Sequence, residues 1–133
     1  MAMGTVGFIG GGRITAVMLQ GWHRVGQLPK KMVVSDSSLA VLNRLKVVFP
    51  EVTATPDNLQ SAGQDFIFMA LHPPAARTTL DALGAALKPD AVVISLAPVL
   101  RIAELSSRLG GFRGLARVIP NAPSASGQGF NAV

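Results

Sequence analysis

The most informative segment of this chain is Gly7-Phe8-Ile9-Gly10-Gly11-Gly12-Arg13-Ile14-Thr15. It begins as an apolar run, breaks into three consecutive glycines and resumes with the periodicity of a helix. We interpret it as a strand, a tight turn and the start of a helix, because glycine permits the turn and the first N–H groups of a helix have no partner within it. Those N–H groups and the helix dipole attract anions, so the stretch predicts a phosphate site.

The glycines follow a known spacing. Gly10 and Gly12 occupy the first two places of G-x-G-x-x-G, and Thr15 occupies the third. In that pattern the first glycine makes the turn, the second lets the backbone approach a pyrophosphate, and the third allows the helix to pack closely on the strand. We expect a small residue at the third place to be tolerated at some packing cost. The competing interpretation is a glycine-rich turn in an ordinary strand–helix unit that binds nothing.

The flanking sequence agrees with the first interpretation. Residues 5–9 are predicted as a strand, and the helix after the glycines is predicted to end at Gly26. Its expected apolar face consists of Ile14, Val17, Met18, Gly21 and Val25.

A second apolar run, Met32-Val33-Val34, ends in Ser35-Asp36. This is about 20 residues after the glycines, where an acidic residue usually contacts the adenosine ribose of a bound dinucleotide. We therefore predict that Asp36 accepts hydrogen bonds from the ribose hydroxyls. The alternative is that Asp36 is the N-cap of a helix beginning near Leu39, a role for which Ser37 and Ser38 are equally suited.

The remaining chain alternates between apolar runs and helical patterns, which is typical of an α/β fold. We predict a Rossmann-type open parallel sheet with helices on both faces and the strand order 3-2-1-4-5-6. Further strands are expected at residues 52–54, 66–71, 91–96 and 116–119, and further helices at 39–48, 57–62 and 102–109 and after the prolines at 73–74, the last with Leu80, Leu83, Ala86 and Leu87 inward.

The carboxyl ends of parallel strands meet at one edge of the sheet, and ligands bind there. Residues 10–13 and 36–38, His72-Pro73 with Ala97-Pro98, and Asn121 are therefore expected to border one crevice.

Composition limits the function. The chain has 133 residues, 49% of them hydrophobic and 14% charged, which is enough for one compact domain. Its net charge of +5 comes from scattered lysines and arginines rather than a basic stripe, so nucleic acid is not an expected partner. No run is long enough to cross a membrane, and the absence of cysteine fits a reducing compartment and leaves no thiolate ligands, so we expect a cytoplasmic protein without a metal site.

In the order of its motifs, the chain resembles the pyrroline-5-carboxylate reductases. Residues 7–12 resemble that family's opening, and Val34-Ser35-Asp36 its second strand end. Ala70-Leu71-His72-Pro73 is similar to its Ala-Val-Lys-Pro, and residues 93–97 to its Ile-Ser-Ile-Ala. The most specific match is Arg117-Val118-Ile119-Pro120-Asn121-Ala122-Pro123, which is similar to Arg-Val-Met-Pro-Asn-Thr-Pro.

The resemblance implies hydride transfer from a nicotinamide cofactor to the cyclic imine of 1-pyrroline-5-carboxylate, which gives proline. It implies that residues 10–14 cradle the pyrophosphate, that residues near 36 face the ribose, and that the loops after the fourth, fifth and sixth strands line the cofactor toward its nicotinamide. The cofactor-binding residues expected on this basis are Gly10, Gly11, Gly12, Arg13, Ile14, Ser35, Asp36, Ser37, Leu71, His72, Pro73, Ala97 and Asn121. No catalytic residue is assigned.

Two arguments about the cofactor disagree, and we predict NADP(H), with NAD(H) possible, because of the resemblance. The resemblance favours NADP(H), whereas Asp36 without an arginine at 37 or 38 places a carboxylate near a 2′-phosphate and favours NAD(H). Arg13 is placed to contact the pyrophosphate or a 2′-phosphate, with a solvated surface arginine as the alternative.

The chain departs from the family at Ser37, His72, Val99 and Ala122. His72 is placed to donate a hydrogen bond to the nicotinamide carboxamide or to substrate, or is a plain loop residue; His23 is expected on the solvated side of its helix. Members of the family continue with a helical domain that forms the dimer and most of the imino-acid pocket. Residues 1–133 are therefore expected to be one dinucleotide-binding domain that lacks that partner domain and is inactive alone.

Two other functions stay open. One is a related deazaflavin- or NADP-dependent oxidoreductase, against which the Pro-Asn-x-Pro sequence argues. The other is a dinucleotide-binding module that carries out no chemistry.

Overall fold

The computed structural model describes residues 4–72, 75–97 and 100–118. Six strands form one parallel sheet in the order β3-β2-β1-β4-β5-β6, which confirms the predicted fold. The strands are β1 (Thr5–Ile9), β2 (Lys31–Ser35), β3 (Thr53–Thr55), β4 (Phe66–Met69), β5 (Val92–Ser95) and β6 (Leu115–Arg117). The helices are α1 (Arg13–Arg24), α2 (Leu39–Val48), α3 (Asn58–Ala62), α4 (Ala75–Leu83) and α5 (Ile102–Arg108), and a 3₁₀ turn (Gly84–Ala86) follows α4.

The central strands are apolar on both faces, as strands covered by helices on both sides must be. Val6 and Phe8 of β1 point into a cluster with residues of α1 and α2, whereas Ile9 and Ile67 point into a second cluster with residues of α3, α4 and α5. The sheet therefore has a hydrophobic layer on each face. The predicted arrangement of helices on both faces is confirmed.

Helix α1 ends at Arg24 with Val25 as its C-cap, and the glycine predicted to terminate it, Gly26, follows directly. That residue has φ +69°, and its N–H donates to the His23 carbonyl, while the Gln27 N–H donates to the Trp22 carbonyl. This pair of bonds is the Schellman arrangement, in which a glycine in the left-handed region satisfies the last carbonyls of a helix.

The predicted apolar face of α1 is wrong at its far end. Val25 is 56% exposed, because the chain has already left the helix there. The residues that the helix buries are Thr15, Leu19 and Gly21. Trp22 packs beside them, with its ring centroid 5.7 Å from that of Phe8.

Several strands differ slightly from their predicted bounds. β4 ends at Met69 and β5 at Ser95, although the apolar runs continue, because Leu96 and Ala97 bury their side chains after strand pairing has stopped. β3 starts one residue later than predicted, and β6 starts one residue earlier. Ile119, predicted in β6, lies outside the described residues.

Helix α4 buries Leu80 and Leu83 as predicted, and Ala86 and Leu87 pack half-buried against the same cluster. α3 is short, as expected, and is capped by the Asp57 carboxylate, which accepts from the Leu59 N–H at 2.9 Å.

Candidate functional site

The turn between β1 and α1 needs a glycine at position 10. Gly10 has φ +106°, and a Cβ there would lie 2.7 Å from the carbonyl oxygen of Ala70. Its N–H donates to the Ser35 carbonyl at 2.7 Å. Gly10 thus fixes the turn at the point where β1, β2 and β4 end, as the first glycine of the pattern does.

Gly12 is different, because nothing in the described protein requires a glycine there. Its φ is −78°, it is exposed, and a Cβ built on it would have no atom within 4 Å among the described residues. It is the N-cap of α1, and in the described ranges no side chain caps that helix and no acidic residue stands in its first turn. The first N–H groups of α1 therefore have no side-chain acceptor among the described residues, and free N–H groups of this kind bind anionic ligands.

Thr15, in place of the third glycine, is fully buried against the sheet. Its hydroxyl donates to the Gly10 carbonyl at 2.5 Å. The small residue fits the close packing expected at this position, and its hydroxyl additionally ties the helix to the turn. The sequence pattern does not signal that second role.

Asp36 joins the first two turns of the crevice. One carboxylate oxygen accepts from the Gly11 N–H at 2.9 Å, and the other accepts from the Ser38 N–H at 2.8 Å. The N-cap of α2 is Ser38, whose hydroxyl oxygen accepts from the Val41 N–H at 3.3 Å. The alternative prediction, Asp36 as the cap of α2, is therefore wrong, and Asp36 keeps lone pairs for further donors because a carboxylate can accept about four hydrogen bonds.

The neighbours of Asp36 lie at different depths. Ser35 is fully buried, and its hydroxyl donates to the Phe8 carbonyl at 3.3 Å and accepts from the Ser61 hydroxyl at 3.0 Å. Ser37 is exposed. Ser35 therefore stabilises the turn through hydrogen bonds inside the protein, whereas the side chain of Ser37 is accessible to a ligand.

Leu71, His72 and Ala97 follow the neighbouring strands β4 and β5 at the same edge of the sheet. A side-chain methyl of Leu71 lies 3.0 Å from the place of a Cβ on Gly10. His72 is exposed, and its carbonyl accepts from the Ala76 N–H at 3.1 Å. Ala97 is buried. Pro73, Pro98, Val99, Asn121 and Ala122 lie outside the described residues.

Arg13 and Ile14 stand in the first turn of α1, with Arg13 exposed and Ile14 half-buried. His23 is exposed as expected, and its Nε2 lies 3.9 Å from a carboxylate oxygen of Glu51. In the part of the chain that the structure describes, no group of histidine and carboxylate side chains is placed to hold a metal ion. None of the helices described is both long and apolar enough to cross a membrane.

The parallel sheet, the uncapped helix after a glycine turn and the acidic residue after β2 define a Rossmann-type dinucleotide-binding domain. The comparisons with known proteins then give the family. Residues 5–98 match the model of the family described as NADP oxidoreductase coenzyme F420-dependent, and the chain belongs to that family.

The predicted resemblance to the pyrroline-5-carboxylate reductases is confirmed by the relatives. The chain is 27% identical over 134 residues to pyrroline-5-carboxylate reductase of Pseudomonas aeruginosa, with 100% of this chain and 49% of that protein covered. It superposes on the structure of a pyrroline-5-carboxylate reductase from Coxiella burnetii with a TM-score of 0.86 and 28% identity, covering 98% of this chain and 48% of the other.

A Plasmodium falciparum pyrroline carboxylate reductase solved with NADP bound shares the fold, with a TM-score of 0.80 and 22% identity over 98% of this chain and 47% of that one. The chain thus spans about half the length of the curated relatives it matches.

Proposed function

We propose that residues 1–133 form the cofactor-binding domain of a reductase of the pyrroline-5-carboxylate reductase type. The reaction would be hydride transfer from NAD(P)H to a cyclic imine. The observation that carries the proposal is an exposed glycine, Gly12, at the uncapped start of α1. No contact within the described protein requires a glycine at this position. Relatives that match this chain along its whole length are reductases of that type.

The described residues divide the work of binding. The N–H groups of residues 12–14 would donate hydrogen bonds to the pyrophosphate. A Cβ at position 12 would fill the space that the pyrophosphate needs. Asp36, held by two backbone donors, and the exposed Ser37 would receive the adenosine ribose.

The loops after β4 and β5 would continue the cofactor site toward the nicotinamide through Leu71, His72 and Ala97. The sequence resemblance adds Pro73 and Asn121 to this part of the proposed site. The bound cofactor would supply the hydride, and these residues would orient its ring and exclude water. We assign no catalytic residue.

We propose NADP(H) as the preferred cofactor, with NAD(H) as the alternative. The family description names NADP, and one relative of the same fold was solved with NADP bound. The carboxylate of Asp36 opposes a 2′-phosphate nearby, so a compensating positive charge is required.

The imino-acid substrate and a homo-oligomer belong to the complete enzyme in this proposal, because relatives of about twice the length carry the activity in their names. The cytoplasm is the proposed location, supported by a chain without cysteine.

A second candidate is a deazaflavin-linked NADP oxidoreductase, favoured by the description of the family model. It uses the same dinucleotide turn. An assay of the complete protein with reduced deazaflavin and with pyrroline-5-carboxylate separates the two.

Calorimetric titration with NADPH, NADP⁺, NADH and NAD⁺ tests dinucleotide binding. We expect Gly12→Val to weaken binding by about a hundredfold or more, because the side chain would occupy the pyrophosphate position. The variant should fold normally, since nothing in the described protein lies within 4 Å of the new Cβ. Unfolding followed by the fluorescence of Trp22 checks this.

Gly63→Val is the matched control. Gly63 has a similar φ of −79° at the end of α3, and a Cβ there would make only ordinary contacts of 3.7 and 3.8 Å. This variant should bind like the wild type. Unchanged affinity in Gly12→Val would rule out the proposed pyrophosphate site.

A further inference from the structure

A groove runs between α1 and α2 and begins at the glycine turn. Its volume is about 410 Å³, and Gly11 and Gly12 line it at one end. Val41 and Leu45 of α2 supply much of its apolar wall. We call it the α1–α2 groove.

Two arginines border this groove from opposite sides, Arg13 on α1 and Arg44 on α2. Within the described residues, neither makes an ion pair or a side-chain hydrogen bond, whereas Arg77 and Arg108 are both paired with Glu104. Two guanidinium groups without acidic partners, beside the N-terminus of α1, make the groove an attractive place for an anion with several negative charges.

The position of Arg44 brings its charge toward the turn. It lies three residues after Val41, whose Cγ1 is 3.2 Å from the place of a Cβ on Gly11. Side chains at i and i+3 share a face of a helix, and long side chains lean toward the helix N-terminus. The N-terminus of α2 is where the Ser38 N–H meets the Asp36 carboxylate.

The carboxylate of Asp36 is the acidic group that opposes a phosphate at this place. Both of its oxygens accept backbone N–H groups, those of Gly11 and Ser38, which offset part of its charge. No lysine or arginine directly follows β2 in the sequence, so a cation that offsets the remaining repulsion has to come from another element, and Arg44 on α2 lines the groove.

We propose that Arg44, together with Arg13, binds the 2′-phosphate of NADP(H), and that this pair sets the preference of the chain for NADP(H) over NAD(H). The proposal rests on the proposed dinucleotide-binding function. A guanidinium is suited to this task because it donates two parallel hydrogen bonds to a phosphate. The specificity thus comes from the second turn of α2 and the first turn of α1, and not from the loop after β2.

The test compares pairs of ligands that differ by the 2′-phosphate alone: NADPH with NADH, and adenosine 2′,5′-bisphosphate with adenosine 5′-monophosphate. We expect Arg44→Gln to weaken the binding of NADPH and of the bisphosphate by about tenfold or more, because hydrogen bonds to a charged group are lost. The affinities for NADH and for the monophosphate should change by less than about twofold. Arg13→Gln should act in the same direction.

Arg24→Gln is the matched control, because Arg24 is an exposed arginine at the far end of α1 that does not line the groove. It should leave all four affinities unchanged. Equal weakening of NADPH and NADH by Arg44→Gln, or no effect on either, overturns the inference while leaving dinucleotide binding in place. A wild-type chain that binds neither NADPH nor NADH overturns the proposed function itself, and the inference with it.

Discussion

Asp36 shows how one side chain serves the fold and the candidate site together. The sequence places it where a dinucleotide ribose is bound, and the structure shows its carboxylate joining the turn after β1 to the turn after β2 through Gly11 and Ser38. A ligand contact at Asp36 would therefore use a carboxylate that is already oriented. Preorganisation of this kind lowers the entropy cost of binding.

We expect Asp36→Ala to lower the free energy of unfolding by about 1–3 kcal/mol, because two partly buried N–H groups lose their acceptor. Urea unfolding monitored by Trp22 fluorescence measures this. Asp90→Ala is the control, since Asp90 is exposed and in the described residues its side chain makes no hydrogen bond or ion pair. Equal stability of the two variants would show that the Asp36 contacts do not hold the turns together.

At the scale of whole elements, side-chain contacts stabilise the pairing of β1 with β4 at the edge of the sheet opposite the candidate cofactor site. The Asp65 carboxylate accepts from the Thr5 N–H at 3.0 Å and from Lys88 Nζ at 2.9 Å. The Thr5 N–H, with Lys88 beside it, lowers the pKa of Asp65 to about 2 from its usual 3.8. The charged carboxylate is thus favoured in the folded chain.

This shift predicts a pH dependence of stability. Because the pKa of Asp65 is lower in the folded than in the unfolded chain, its stabilising effect is complete above about pH 4 and is lost as the pH falls toward 2. The stability difference between wild type and Asp65→Asn should therefore shrink across that interval. Urea unfolding at a series of pH values measures it, and a difference independent of pH would contradict the assignment.

The elements also show where periodicity alone misleads. The predicted α1 face included Val25, but the chain turns at Gly26 and leaves Val25 in solvent. The apolar runs of β4 and β5 extend beyond their pairing, because a buried side chain such as Leu96 does not need to belong to a strand. Hydrophobicity reports burial, and pairing needs a neighbouring strand.

For the molecule as a whole, we propose that cofactor binding and catalysis are separable. Hydride transfer requires the acceptor carbon to be held close to the nicotinamide, and small misplacements reduce the rate steeply. Relatives with the named reductase activity are about twice as long as this chain. The 133 residues carry the proposed cofactor site and no assigned catalytic group.

We therefore expect the 133-residue chain to bind a nicotinamide dinucleotide and to show no appreciable reductase activity. The assay follows the absorbance of NADPH or NADH in the presence of pyrroline-5-carboxylate, with a full-length relative as the positive control. Turnover comparable to that of the relative would show that these residues contain a complete site. His72 and Asn121 would then become candidates for catalysis.

The kind and order of the elements, the parallel sheet and the position of the glycine turn could be predicted from the residues alone. These depend on local patterns, namely apolar runs, helical spacing and glycines, and on the right-handed crossover that restricts how such units connect. The sequence also indicated the family, through motifs that occur in a fixed order.

Which groups meet across the crevice became clear from the folded chain. Gly11 and Asp36 are 25 positions apart, and their hydrogen bond follows from the adjacency of β1 and β2. Arg13 and Arg44 border one groove because α1 and α2 pack side by side on the same face of the sheet. Such contacts depend on the direction of side chains in space, which a one-dimensional pattern does not contain.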